Sequence, residues 1–158
     1  MRLASRLNLL DAMAKGHIAP PGSLRGIHVF VVDDEPAGLE FVSKPLEYHG
    51  ALVTTCHTLR ALPLMSHVRP NVVVIEVPGA DDRAYALVRR LRAAASGRGA
   101  AVPAIALVPR GAKLAPRQIT ARGFRASVPH PFRVRELCAT ILRVHKRRPA
   151  RARRRRPS

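Results

Sequence analysis

The stretch "RGIHVFVVDDEPAGLEFVSKPLEYHG", Arg25 to Gly50, runs an apolar, β-rich segment directly into three consecutive acids and then into a helical pattern. Those acids are three of only ten Asp and Glu in a chain of 158 residues with a formal net charge of +18. Pro36 stands where a first helical turn tolerates it, and Gly50 follows the last apolar repeat. The spacing predicts a strand over 27–32 and a helix over 36–48.

The same alternation recurs along the chain. Strands are predicted over 51–55, 71–76, 104–108 and 126–128, with helices over 59–68, 81–95, 114–122 and 132–147. Pro63 must start or bend the second helix. "NVVVIE", Asn71 to Glu76, is apolar enough to lie at the centre of a sheet. Five strand–helix units joined by right-handed crossovers make an α/β fold, a parallel sheet with helices on both faces. Its core is aliphatic, since hydrophobic residues make up 47% of the chain, aromatics only 4%, and Trp is absent.

Open parallel sheets present functional groups in the crevice beyond the carboxyl ends of their strands. Asp33 and Asp34 end the first strand, Glu76 ends the third, and "PHPF", Pro129 to Phe132, follows the fifth. If strands one, three and five meet at the switch point, three carboxylates face the imidazole of His130. Separate strand-end carboxylates also serve as helix caps and turn residues, so the pattern leaves both roles open.

The chain ends read differently. Over 1–25, Leu3, Leu7, Leu10 and Ala14 share a helical face before Pro20, Pro21 and Gly22 stop it. That helix could pack on a partner or a second copy, or be a frayed extension; the sequence does not decide. From Arg143 onward there are nine Lys and Arg and no acid, half of the net charge. The segment 148–158 predicts a disordered tail. It reads either as a solvated extension or, through Arg151, Arg153, Arg154, Arg155 and Arg156, as a nonspecific contact to nucleic-acid phosphates or acidic proteins. No aromatics are interleaved for base stacking, and no DNA-reading module fits after Arg147. Cys56 and Cys138 lack metal-binding spacing and read as small buried residues. Apolar runs are too short to cross a bilayer and no signal-peptide pattern follows Met1, which predicts a soluble, cytoplasmic protein without a membrane span.

Four segments in order resemble the receiver domain of two-component response regulators. "VVDDEP" is similar to that family's acidic strand end, "RPNVVVIE" to the segment leading to its phosphoaccepting aspartate, "VPAIALV" to its fourth strand, and "GFRASVPHPF" to its fifth strand and following turn. The resemblance covers 26–147 and implies a flavodoxin-like, doubly wound sheet of order 2-1-3-4-5, a topology for which the family's chemotaxis member is a standard example. It implies a bacterial, non-enzymatic role in phosphorelay signalling, with a histidine kinase or a downstream effector as partner. Asp33 and Asp34 match the pair that holds Mg²⁺, and with Glu76 they imply a weak Mg²⁺ site.

The reactive positions depart from the family pattern. Glu76 falls where the phosphoaccepting aspartate belongs, His130 replaces the phosphoryl-contacting lysine, Val108 the switch Thr or Ser, and Ser127 the switch aromatic. Pro78 comes earlier than the family's proline, which alters the loop after the acceptor. These departures predict a pseudo-receiver with little or no phosphoacceptor activity. The alternatives are a noncanonical phosphoacceptor in a phosphorelay, and a built-in negative charge at Glu76 that partly mimics the phosphorylated state. A metal-dependent phosphohydrolase is disfavoured because adjacent acids replace its Asp-x-Asp. The family's output face would draw on Gln118, Arg122, Arg125, Ser127, Arg133 and Arg135.

Overall fold

In β1 (His28–Val32), alternate side chains leave in opposite directions, and both directions are apolar. Val29 and Val31 enter one core while Phe30 and Val32 enter the other. A strand buried on both sides explains the unbroken apolar run. The computed structural model describes residues 22–78, 82–94 and 101–147, so the helix and linker predicted before residue 22 and the arginine tail from 148 lie outside the described residues.

The elements follow in strict alternation: α1 (Pro36–Tyr48), β2 (Leu52–Cys56), α2 (Thr58–Val68), β3 (Val72–Glu76), α3 (Asp82–Ala94), β4 (Ala104–Pro109), α4 (Pro116–Ala121), β5 (Ala126–His130) and α5 (Val134–Lys146). The five strands form one parallel sheet ordered β2-β1-β3-β4-β5, with β3 central. Chain order doubles back beside β1, which places the crevice above the ends of β1 and β3.

One core holds Val42 and Leu46 of α1 and Leu137, Cys138 and Ile141 of α5. The other holds Ala61 and Met65 of α2, Tyr85 and Val88 of α3, and Ile119 of α4. Helices α1 and α5 therefore cover one face, and α2, α3 and α4 the other. Both cysteines are free and buried, and burial pushes each thiol up to about 11. No described helix is long and apolar enough to cross a membrane.

Most boundaries differ from the periodicity by one or two residues, and three places have an identifiable cause. β2 begins one residue later, because Gly50 takes φ +94° and Ala51 N–H still donates to Leu46 O at 3.0 Å, closing α1. β5 continues two residues further, pairing Val108 with Pro129 and Pro109 with His130. Proline is tolerated there because β5 is an edge strand. Pro63 neither starts nor ends α2 but sits inside it. It is exposed, as is Leu59 four residues earlier, so the carbonyl that a proline nitrogen cannot serve lies on the solvent side of the helix.

Candidate functional site

The crevice at the ends of β1 and β3 holds a cavity of about 230 Å³ lined by Asp33, Asp34, Glu35, Thr58, Glu76, Pro78, Arg83 and Ala84. Parallel register brings these residues together: Val32 pairs with Ile75, so the acids after Val32 lie beside Glu76. The loop leaving Glu76 is pinned by Val77 N–H donating to Leu107 O at 2.8 Å.

Each aspartate also has a structural task. Asp33, 7% exposed, accepts the Glu35 N–H on Oδ1 at 2.9 Å, forming the turn into α1. Its Oδ2 is buried without a hydrogen-bond partner. Gly38 makes room for it, because a Cβ at position 38 would overlap Oδ2 and lie 2.9 Å from Asp33 Cγ. Asp34 reaches across to α2, where the N-cap residue His57 supplies no side-chain cap, and accepts the Thr58 N–H on Oδ1 at 3.0 Å. Its negative charge at a helix N-terminus also complements the helix dipole.

Glu76 stands half-buried at the end of β3. Its pKa is pushed up to about 7, first by hydrogen bonding with Asp33 that favours the protonated carboxyl, then by burial, then by the charges of Asp33 and Glu35. A raised pKa at Glu76 relieves the repulsion that adjacent anions would suffer in this pocket. Arg83 supplies the pocket's cationic side chain, with Nη1 4.0 Å from Asp34 Oδ2.

His130 does not face the carboxylates as the strand ends suggested; it is absent from the residues lining the pocket. Its ring meets Phe41 edge-on, centroids 5.8 Å apart, and lies 5.9 Å from Phe132. The imidazole is thus drawn into an aromatic cluster between α1 and the turn after β5, with Nδ1 buried and unpartnered. Val108 is buried in the core under α2, α3 and α4, and Ser127 lies on the edge strand opposite Ala106, half-buried. Neither lines the pocket. Arg83 and Thr58 went unassigned in the sequence reading, although an arginine in the first turn after β3 was a detectable signal.

The donor set has the chemistry of a Mg²⁺ site, oxygen ligands only, and the orphaned Asp33 Oδ2 is an atom a cation would satisfy. Yet no three ligands among the described residues are already arranged around a common centre. A turn, a helix cap and an arginine engage the two aspartates instead.

No protein-family model matches the chain, and no curated protein matches it. Solved structures do. The receiver domain of a Francisella response regulator is 22% identical, with a TM-score of 0.65 over 77% of this chain and 98% of that one. A response regulator from Desulfuromonas acetoxidans is 24% identical, with a TM-score of 0.63 over 76% of this chain and 97% of that one. A chemotaxis response regulator of Vibrio cholerae is 22% identical, with a TM-score of 0.61 over 75% of this chain and 98% of that one. In sheet order, crossover pattern and extent, the chain has the flavodoxin-like fold of response regulator receiver domains.

Proposed function

We propose that residues 26–147 form a cytoplasmic, non-enzymatic, receiver-like signalling domain that acts through protein–protein contacts rather than phosphoryl transfer, with Glu76 in the phosphoacceptor position. The observation that carries this reading is the make-up of the pocket: Glu76 stands beside Asp33 at the ends of β3 and β1, Arg83 is the lining cation, and neither His130 nor Val108 is among the lining residues. Attack on a phosphorus atom needs an ionised carboxylate in line with the leaving group. Glu76 is partly neutralised near pH 7, and its extra methylene shifts the oxygen by more than the roughly 1 Å that costs about a hundredfold. His130 sits among aromatic rings, and Val108 has no donor to offer an incoming phosphoryl oxygen.

Incubation with acetyl phosphate and Mg²⁺, followed by intact mass, is expected to leave the mass unchanged. Glu76→Asp alone is expected to remain inert, and Glu76→Asp with His130→Lys and Val108→Thr to gain one phosphoryl mass. A gain in the wild type that vanishes in Glu76→Gln overturns the reading in favour of a noncanonical acceptor.

Asp33, Asp34 and Glu76 would hold Mg²⁺ weakly, because the ion competes with the proton on Glu76 and with Arg83. Bound there, it would neutralise carboxylate charge. Millimolar Mg²⁺ is expected to raise the melting temperature slightly at pH 8, less at pH 6, and not at all in Asp34→Asn. An absent shift at pH 8, or an equal one in Asp34→Asn, refutes the site.

The expected partner is a kinase or effector. The face joining α4, β5 and α5 supports this: β5 is the sheet edge, and Gln118, Arg122, Arg125 and Arg133 surround it exposed, with Ser127 and Arg135 half-buried.

A further inference from the structure

Beside that face, and sharing Arg122 and Arg125 with it, two adjoining cavities of about 510 and 530 Å³ run between α3 and α4, with Arg92 in the walls of both. Four exposed arginines line them: Arg89, Arg92, Arg122 and Arg125. Among the described lining residues Asp82 is the single acid, its Oδ1 3.9 Å from Arg122 Nη1. Arg122 lies over the ring of Tyr85, 4.3 Å from its centroid. Tyr85 is 3% exposed, and its hydroxyl is buried without a partner. Arg92 lies across bare backbone at Gly123, where φ is +112° and a Cβ would come within 3.2 Å of the arginine's Cδ. The second cavity is also lined by Thr120 and by the half-buried Leu91 and Val102, with Val88 and Phe124 buried behind them.

We propose that this groove docks an acidic segment of a partner protein that also carries aliphatic side chains. Charge complementarity supplies the first half: four guanidinium groups select carboxylates and speed encounter. Asp82 beside Arg122 shows the chain's own carboxylate already using that position. Leu91 and Val102 supply the second half, because they offer aliphatic side chains a place to leave water. A nucleic acid fits less well. Phe124 is 2% exposed and Tyr85 is covered by Arg122, so among the described lining residues no ring is open for a base to stack on. This surface is distinct from the carboxylate pocket and functions whether or not Glu76 accepts a phosphoryl group.

The test uses the full chain and a short fluorescein-labelled peptide of alternating Glu and Leu pairs, followed by anisotropy and by amide chemical shifts. Shifts are expected at Val88, Leu91 and Phe124. Arg89→Glu with Arg125→Glu, both at exposed positions, is expected to weaken binding by about tenfold or more, as like-charge juxtaposition at an interface does. Replacing Arg153 to Arg156 by Ser is expected to cost less than about threefold, as loss of screened tail attraction should. A thermal melt confirms that each variant is folded. Equal binding by the charge-reversed groove, equal binding of a polyglutamate of the same length, or equally tight oligothymidylate shifting the same amides overturns the proposal.

Discussion

Gly38→Ala is expected to destabilise the protein by about 2 kcal/mol, although alanine in a helix is ordinarily worth up to about 1 kcal/mol more than glycine. Gly38 lies in the first turn of α1, and the added methyl group would occupy the space of Asp33 Oδ2. Asp33 cannot simply give way. Its Oδ1 holds the Glu35 N–H that sets the entry into α1, and its carboxyl lies against Glu76. Moving it breaks a buried, charge-assisted hydrogen bond, at a cost of roughly 1.5–3 kcal/mol. For a domain of this size the net loss lowers the melting temperature by roughly 5–10 °C. The decisive measurement is a double-mutant cycle by urea unfolding. In an Asp33→Ala background the clash is gone, and Gly38→Ala should turn neutral or stabilising. The same destabilisation in both backgrounds would show that the carboxylate is not what glycine accommodates.

The second large effect is a fall in stability with rising pH that disappears in Glu76→Gln. Glu76 rises from an ordinary value of 4.5 to about 7 in the folded protein, so folding takes up a proton between those values. Its stabilisation is complete below pH 4.5 and is lost as the pH climbs through about 7. The full shift would correspond to roughly 3 kcal/mol at about 1.4 kcal/mol per pKa unit, and partial exposure to water reduces this to roughly 1–2 kcal/mol. His28 works the other way, since burial lowers its pKa and its contribution is lost as the pH falls below 6.5. Comparing wild type and Glu76→Gln at each pH cancels that background. Chemical denaturation from pH 6 to 8.5 is expected to show the variant gaining on the wild type as pH rises. A constant difference across the range would show that folding does not raise the pKa of Glu76.

Much of the architecture was legible in local pattern. The apolar run in "HVFVV" and the helix signal from Pro36 to Tyr48 each reflect forces acting within a few residues: burial on both strand faces, a proline-compatible first turn and a glycine after the last one. The boundaries that shifted depended on neighbours. Pro129 and His130 join β5 because β4 supplies a ladder on one side only, and Pro63 stays inside α2 because the carbonyl it orphans lies on the solvent side of the helix.

The carboxylate pocket was legible in part, because parallel register necessarily stacks the ends of β1 and β3. Which group answers those charges was not. His130 ends β5 at the same end of the sheet as the strand-end acids, but the rings of Phe41 and Phe132, more than eighty residues apart in sequence, draw its imidazole into an aromatic cluster. Arg83 enters the pocket through the path of α3, and Asp34 is taken up by the N-terminus of α2. Sequence spacing alone established the strands and the acids at their ends, because these are properties of residue type and order. Tertiary structure decided which cation and which helix end each acid meets, because electrostatic partners are chosen by distance through space.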